Sequence, residues 1–242
     1  MLEEIYEIIE NTKLANDVYK MRLKGNTKAI KHSGEFLELR LDGKFLRRPF
    51  SINDYDDNSI TILYKILGQG TKEMTSYEIG KKVNAIIGLG NGFDVNKSKK
   101  PLLIGGGIGV APLYNLGKKF NELGIRPTFV LGFKTKDEIF YLDEFKALGD
   151  VFVTTDDASF GYKGNAVGFL KENKIDFDYY YACGPLVMLK YLALYNNNGD
   201  LSLEARMGCG FGACMGCSIE TENGVKRVCK EGPVFSAREV RF

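Results

Sequence analysis

Short stretches in which apolar and polar positions alternate fill the first part of the chain. In residues 35–41, for example, Phe36, Leu37 and Leu39 are interleaved with Glu38 and Arg40. Such alternation is typical of strands that bury one face. Turn residues such as Asp-Gly and Asp-Asn pairs separate the stretches. The pattern predicts an antiparallel β-barrel over residues 1–97, with strands at Ile5–Lys13, Val18–Lys24, Glu35–Leu41, Ser59–Leu67 and Val83–Gly88.

The pattern changes near residue 98, after a polar stretch that ends in a lysine-rich linker and Pro101. Short apolar runs now alternate with amphipathic stretches, which is typical of parallel strands joined by crossover helices. We predict an α/β domain with a parallel sheet over residues 98–200, with strands at Leu102–Ile104, Thr128–Leu131, Val151–Thr155 and Tyr179–Cys183 and helices at Ala111–Leu123, Leu142–Leu148, Ala166–Glu172 and Leu186–Tyr195. Residues 201–242 are rich in Gly and Cys without helical periodicity and are predicted to form a small third domain.

Charge and hydrophobicity exclude several functional classes. The chain has 33 Lys and Arg against 31 Asp and Glu, a net charge of +2, so electrostatics gives no support for binding nucleic acid or an anionic membrane. No apolar run reaches the length of a membrane span, and the N-terminus lacks the pattern of a secretory signal. We therefore expect a soluble cytoplasmic protein. Because thiols stay reduced there, clustered cysteines are more readily explained as metal ligands than as disulfides.

Four of the five cysteines are grouped with the spacing C-x4-C-x2-C-x11-C. The first three have the spacing of plant-type [2Fe–2S] ferredoxins. Glycine or alanine stands beside each of these three, so the backbone can wrap tightly and point N–H groups at sulfur. The alternative is a structural zinc site, although zinc sites more often use two C-x2-C pairs. We predict a [2Fe–2S] cluster bound by Cys209, Cys214, Cys217 and Cys229.

Three segments of the predicted barrel have the chemistry of a diphosphate site. Arginine binds diphosphates through its planar fork, and a glycine turn before a helix exposes backbone N–H groups. Each segment alone is more often a simple turn or helix cap, but their combination in one barrel is more specific. They are Arg48, Pro49, Phe50 and Ser51; Leu63, Tyr64 and Lys65; and Gly68-Gln69-Gly70-Thr71 before a predicted helix Lys72–Ile79.

Two further turns lie at the carboxyl ends of predicted parallel strands, where open α/β sheets bind ligands. The first is a glycine-rich turn that opens a helix, though it departs from G-x-G-x-x-G and tight turns of this kind often have no ligand. The second contains Cys183, too far along the chain to join the cysteine cluster; the alternative is a small buried apolar residue. The candidate nucleotide contacts are Gly105, Gly106, Gly107, Gly109, Cys183, Gly184 and Pro185.

The order of these features, together with E-A-R-M-G-C-G-F-G-A-C-M-G-C and K-R-V-C-K-E-G-P-V-F near the C-terminus, resembles the ferredoxin–NADP+ reductase superfamily. Within it, the chain is similar along essentially its whole length to electron-transfer subunits of dihydroorotate dehydrogenase B. The resemblance implies that the barrel segments contact FAD at Arg48, Pro49, Phe50, Ser51, Leu63, Tyr64, Lys65, Gly70 and Thr71. It also implies NAD in the α/β domain, with Cys183 close to the nicotinamide, and cluster ligation by all four grouped cysteines.

The family's chemistry is an NAD-linked oxidation of dihydroorotate in pyrimidine (UMP) biosynthesis. The resemblance implies an FMN-containing catalytic subunit as partner, two copies of each, and electron transfer through [2Fe–2S] and FAD to NAD+. His32 is the only histidine, and no catalytic base for dihydroorotate is evident. Lys134 and Lys136 stand where a 2′-phosphate could be bound, so NADP stays open. The alternatives are a flavin subunit of a ferredoxin- or sulfur-linked NAD(P) oxidoreductase and a zinc-held docking module.

Overall fold

The computed structural model describes all residues from Met1 to Phe242. Six antiparallel strands close into a barrel in the order β1-β2-β5-β4-β3-β6. The alternating apolar side chains fill its interior, where Tyr6, Met21, Leu37 and Ile62 are among the buried residues. The predicted barrel is confirmed. Its strands are β1 (Leu2–Ala15), β2 (Val18–Lys24), β3 (Phe36–Leu39), β4 (Arg48–Tyr55), β5 (Ser59–Lys65) and β6 (Lys82–Leu89), with helix α1 (Gln69–Met74) between β5 and β6.

Strand β4 was not predicted, because its first residues contain a proline and a polar run that are typical of a turn. Arg48–Ser51 pair with β3, while pairing with β5 begins only at Ile52 opposite Ile62. Pro49 therefore occupies a stretch of strand with no neighbour on the β5 side, where its missing N–H removes no ladder bond on that side. The consequence is a local gap between β4 and β5 in an otherwise closed barrel.

The second half is a seven-stranded sheet in the order β10-β9-β8-β7-β11-β12-β15. All neighbours are parallel except β12 and β15. The predicted parallel α/β architecture is confirmed. The strands are β7 (Pro101–Gly106), β8 (Thr128–Phe133), β9 (Asp150–Thr155), β10 (Tyr162–Lys163), β11 (Tyr179–Cys183), β12 (Gly199–Ser202) and β15 (Val234–Ser236), and the helices are α2 (Ala111–Glu122), α3 (Leu142–Leu148), α4 (Ala166–Glu172) and α5 (Leu186–Tyr195).

Strand β12 was missed because Gly-Asp-Leu-Ser looks like a loop. Its Asp200 is nevertheless buried, since Lys97 lies 2.8 Å from one carboxylate oxygen and the Tyr179 hydroxyl donates to the other at 2.8 Å. Both partners come from other elements, so the local pattern carries no sign of them. The remaining strands, β13 (Ser218–Thr221) and β14 (Gly224–Arg227), form a hairpin in the C-terminal segment.

One apolar core joins all three parts of the chain. Phe36 and Ile86 from the outer face of the barrel, Leu189 from α5, and Cys217 and Phe235 from the C-terminal segment belong to the same buried cluster. Helices α2 and α3 cover the opposite face of the sheet. The predicted boundaries near residues 97 and 200 stay predictions, since packing is continuous across both. None of the helices is both long and apolar enough to cross a bilayer.

Candidate functional site

The gap between β4 and β5 opens into a cleft of about 520 Å³. Because the two strands separate there, Arg48–Ser51 on one side face Leu63–Lys65 on the other, with main-chain groups on the facing edges that are not used in a ladder. The cleft brings together all nine residues predicted to contact FAD, namely Arg48, Pro49, Phe50, Ser51, Leu63, Tyr64, Lys65, Gly70 and Thr71.

Aromatic packing makes one wall of this cleft rigid. The Tyr64 ring stacks on Tyr19 with centroids 5.6 Å apart and meets Phe50 edge-on at 6.2 Å. The Tyr64 hydroxyl donates to Asn11 at 2.9 Å. Burial, the largest effect, raises the pKa of this phenol, so it stays neutral. A flat apolar wall next to Arg48 and the main chain of the gap fits a cofactor with an aromatic ring system and a diphosphate, as in FAD.

The end of the cleft at α1 differs from expectation. The helix begins at Gln69 and ends at Met74, rather than spanning Lys72–Ile79. The Thr71 hydroxyl accepts hydrogen bonds from the backbone N–H groups of Leu67 at 3.0 Å and Gly68 at 3.2 Å. Two of the donors expected for a phosphate are therefore already bonded within the helix cap. Gly70 is tightly packed, since a Cβ there would lie 2.9 Å from Leu41.

Replacing Arg48 by alanine is expected to weaken FAD binding about ten- to a hundredfold, because a charge-assisted hydrogen bond contributes about 1.5–3 kcal/mol. The Arg48 guanidinium lines the cleft and donates to the Leu46 carbonyl at 2.7 Å, which holds it in place. Arg47→Ala is the control, because Arg47 pairs with Glu3 at 2.6 Å outside the cleft. Titration of flavin fluorescence measures both affinities. Equal FAD affinity in Arg48→Ala and the wild type would remove Arg48 from the site.

A second cleft of about 420 Å³ adjoins the first. Lys65, Ile108, Gly109 and Glu204 line both, so the two share a wall. The two predicted nucleotide turns meet here, since a Cβ on Gly109 would lie 2.6 Å from the Cys183 carbonyl oxygen. Only glycine permits this approach of two backbones. Of the predicted nucleotide contacts, Gly106, Gly107, Gly109, Gly184 and Pro185 line this second cleft.

The other two predicted nucleotide contacts have different positions. Gly105 lines neither cleft, and a Cβ there would lie 2.7 Å from Val110, so this glycine permits close packing of the turn against its strand. Cys183 lines the first cleft beside the shared wall and is only 2% exposed. Burial, and then the charge of Glu204, raises the pKa of its thiol to about 12. Cys183 is thus a neutral thiol at the place where the two clefts meet.

Glu204 is the main site residue that the sequence reasoning missed. Its side chain is open to the cleft but surrounded by protein on the other sides, and this partial burial raises the pKa of the carboxyl. It lines both clefts and acts electrostatically on Cys183. Glu204 could have been predicted from its position directly after the buried run Leu201–Leu203, at the carboxyl end of a parallel strand.

Charged residues at the far end of the second cleft include one internal ion pair and two further side chains of opposite charge. Lys65 lies 2.9 Å from Glu138, and this ion pair joins the barrel to the α/β domain. The pair leaves Asp156 and Lys134 to face the cleft. Lys136, the other lysine considered for a 2′-phosphate, does not line it. Thr154 contributes a buried hydroxyl without a hydrogen-bond partner in the protein.

The cysteine loop has backbone N–H groups directed at sulfur. The N–H groups of Ala213 and Cys214 donate to the Cys209 sulfur at 3.2 and 3.4 Å, and the Cys229 N–H donates to Cys217 at 3.4 Å. Gly210, Gly212 and Met215 have positive φ, which lets the loop wrap in this way. Such donors stabilise the negative charge of a thiolate-bound cluster.

The thiols form two neighbouring pairs, Cys209 with Cys214 and Cys217 with Cys229. Although burial opposes it, hydrogen bonds from the loop N–H groups lower the pKa of Cys209 to about 6. Burial and the neighbouring Cys217 raise the pKa of Cys229 to about 12. No group of three or more acidic, Cys or His side chains is arranged to hold a metal ion around one centre. Two pairs of sulfurs suit a cluster of two irons, with one pair for each.

A buried acid, Glu38, lies between the loop and the barrel. It is 1% exposed, and neither carboxylate oxygen has a hydrogen-bond partner. A Cβ on Gly210 would lie 2.3 Å from its carboxyl carbon, so Glu38 supports the loop directly. Burial, followed by the charge of Cys209, raises the pKa of Glu38 to about 7, while Arg47 opposes the shift.

Comparisons with known proteins agree with this geometry. Residues 204–241 match the family model described as the iron-sulfur cluster binding domain of dihydroorotate dehydrogenase B. Two relatives are named dihydroorotate dehydrogenase B (NAD(+)), electron transfer subunit. The one from Fusobacterium nucleatum is 45% identical and the one from Shouchella clausii 41%, with 96% of each chain covered in both cases.

Solved structures share the fold. An NADH-dependent reduced ferredoxin–NADP oxidoreductase, studied for flavin-based electron bifurcation, superposes with a TM-score of 0.87 at 30% identity, covering 98% of this chain and 90% of the other. The flavohem-like FAD/NAD-binding domain of nitric oxide dioxygenase from Vibrio cholerae gives a TM-score of 0.71 at 16% identity, covering 84% and 98%. The first covers the cluster segment as well as both clefts. With relatives of such identity matched along almost its whole length, the chain belongs to the family of electron transfer subunits of dihydroorotate dehydrogenase B (NAD(+)).

Proposed function

We propose that this chain carries electrons from an FMN-containing dihydroorotate dehydrogenase catalytic subunit to NAD+, in pyrimidine biosynthesis. The observation that carries the proposal is the shared wall of the two clefts, beside a cysteine loop packed against the same barrel. FAD handles both one- and two-electron steps and the [2Fe–2S] cluster handles single electrons, so together they supply the redox chemistry.

The residues of the chain supply binding and orientation. Arg48 and the open edges of β4 and β5 hold the flavin cofactor, and Phe50, which packs against the buried Tyr64 ring, forms its apolar wall. The two glycine turns form the floor for the nicotinamide nucleotide. Cys183 and Glu204 lie where the two ligands meet; one is a neutral thiol and the other a carboxyl with a raised pKa. Since both clefts are assigned to nucleotide cofactors, neither residue is assigned a role in the oxidation of dihydroorotate.

The second candidate is a flavin subunit of a ferredoxin-linked NAD(P) oxidoreductase, favoured by the structural match to such an enzyme at a TM-score of 0.87. Its sequence identity to this chain is 30%, whereas the curated dihydroorotate dehydrogenase relatives reach 45%. The two functions differ in the electron donor. Activity with dihydroorotate after addition of the catalytic subunit supports the first, and activity with reduced ferredoxin in its absence supports the second.

The exposed apolar side chains of the cysteine loop provide a contact for the partner. Phe211 is 45% exposed and Met215 51% exposed, although both lie in a loop of small residues. Apolar side chains at the rim of an electron-transfer site permit close, desolvated approach. We place the catalytic subunit on this loop, in an assembly of two copies of each subunit in the cytoplasm.

Preference for NAD over NADP is attributed to Asp156, whose carboxylate faces the second cleft without a hydrogen-bond partner for its side chain. A carboxylate can accept hydrogen bonds from ribose hydroxyls and repels a 2′-phosphate. Asp156→Ser is expected to raise the ratio of kcat/KM for NADPH to that for NADH about tenfold, measured with an artificial electron acceptor.

The matched control is Asp157→Ser, because the neighbouring Asp157 carboxylate accepts hydrogen bonds from Ser159 and does not line the cleft. An unchanged coenzyme ratio in Asp156→Ser would show that another residue selects the coenzyme. A wild-type protein that holds FAD and the cluster but does not oxidise NADH would contradict the proposed function itself.

A further inference from the structure

Buried hydrogen bonds join strand β4, which carries Arg48–Ser51, to helix α2, which follows the glycine turn of the second cleft. The Asn53 side-chain amide on β4 donates to the carbonyl of Ala111, the first residue of α2, at 2.8 Å. Asn53 has no exposed surface. It follows Arg48–Ser51 by two residues, and Ala111 follows the Gly105–Gly109 turn by two residues. The bond therefore joins the backbone segment that lines the first cleft to the segment that lines the second.

Two further residues of α2, one and two turns after Ala111, also form hydrogen bonds to the barrel. The Ser33 hydroxyl donates to the Asn115 side-chain carbonyl at 2.5 Å, and the Asn115 amide donates to Asp54 at 2.9 Å. Lys118 then donates to both oxygens of Asp54, at 2.9 and 2.7 Å. Positions 111, 115 and 118 share one face of a helix. This face is thus held at three successive points against the barrel.

The need to hold α2 against the barrel does not by itself explain why buried amides are used. Asn115 is 2% exposed, and the Asn53 side-chain oxygen is buried without a partner. Burying amides costs free energy that apolar residues would not incur. Hydrogen bonds are directional, however, whereas apolar surfaces allow small sliding movements. A junction of directional bonds sets the position of α2 along β4 more narrowly than apolar packing does.

We propose that Asn53 and Asn115 are positioning residues for hydride transfer between the nicotinamide and the flavin. The role rests on the proposed function. In the NADH-oxidising direction, one proton and two electrons leave the nicotinamide as hydride and pass to the flavin, leaving NAD+. That transfer needs reacting atoms about 3–3.5 Å apart, and a displacement of about 1 Å can lower the rate by roughly a hundredfold. By fixing α2 to β4, the two amides set this separation without touching either ligand.

The test compares Asn53→Leu with Asn121→Leu. Asn121 lies on the same helix and also donates to backbone carbonyls, those of Gly117 and Leu148, but both acceptors lie within the α/β domain. We expect Asn53→Leu to lower the stopped-flow rate constant of flavin reduction by NADH about tenfold or more. KM for NADH and FAD content should stay within about twofold of wild type. Asn121→Leu should keep the wild-type rate.

A second measurement needs no cofactor. Hydrogen exchange at the amides of residues 113–118 should accelerate in Asn53→Leu, because the first turn of α2 loses its attachment to the barrel. In Asn121→Leu any change should be confined to the C-terminal end of α2. Should Asn53→Leu fail to fold, Asn115→Ala removes the adjoining link and is expected to act in the same direction.

The outcomes separate the role of the junction from the proposed function. A wild-type protein that binds FAD but is not reduced by NADH would overturn both. A wild-type protein that is reduced, with variants at Asn53 or Asn115 that hold FAD and react at the wild-type rate, would overturn only the positioning role. A slower reaction caused only by a higher KM would also overturn it, because that result assigns the junction to nucleotide binding.

Discussion

The Cys217→Ser variant is expected to lose the visible absorbance of a [2Fe–2S] cluster and the EPR signal of the reduced protein. Thiolate is the preferred soft ligand for iron–sulfur clusters, and a serine hydroxyl is a poor substitute. Cys217 is buried beside Cys229, whose N–H donates to its sulfur at 3.4 Å, so no solvent thiol can replace it. Cys214→Ser is expected to have the same effect from the other sulfur pair.

Cys183→Ser is the matched control for the cluster, since Cys183 is equally buried but lies at the junction of the two clefts. It should keep the full cluster spectrum. Unchanged EPR spectra in both Cys214→Ser and Cys217→Ser would exclude the ligand set. A colourless wild-type protein that contains zinc would instead support the zinc-held docking module.

The purified chain, with FAD and cluster bound, is expected to oxidise NADH with an artificial acceptor but to show no oxidation of dihydroorotate. Removing a proton and a hydride from dihydroorotate needs a base in a substrate pocket and a flavin facing it. The only histidine, His32, lines neither cleft. Addition of an FMN-containing catalytic subunit should restore dihydroorotate:NAD+ activity. Full activity from this chain alone would contradict the two-subunit interpretation.

The same reconstitution tests the partner contact. Phe211→Glu should prevent association with the catalytic subunit while FAD and cluster content stay unchanged, because a charge would be buried at an apolar contact. Val225→Glu is the control, since Val225 is 63% exposed on β14 of the same C-terminal segment. Normal assembly of the Phe211→Glu protein, seen by size-exclusion chromatography, would remove only the proposed contact.

The local pattern was enough to predict short helices that lie between strands of the parallel sheet. Helices Leu142–Leu148, Ala166–Glu172 and Leu186–Tyr195 have the predicted bounds. Strands β4 and β12 were missed because each depends on residues that are distant from it in sequence. Pro49 is tolerated by a gap in the neighbouring strand, and Asp200 is neutralised by Lys97. No window of sequence around either residue contains that information.

The candidate site shows the same division. The flavin and cysteine segments could be predicted because they concentrate unusual residue types within a few positions. Glu204, Asn53 and Asn115 are common polar residues that acquire a role only when strands and helices distant in sequence meet. The start of α1 was predicted at Lys72, but the Thr71 hydroxyl accepts a backbone hydrogen bond from Leu67, and the helix begins at Gln69.

The cysteine segment leaves the sheet after β12 and returns to it as β15, which pairs with β12 itself. It is therefore an insertion anchored at both ends to one rigid edge, rather than a tethered module that could swing between partners. Electron exchange between the loop and the flavin cleft is then a first-order process at fixed separation. Its rate constant should be insensitive to dilution and to solvent viscosity, and only the encounter with the catalytic subunit should depend on concentration.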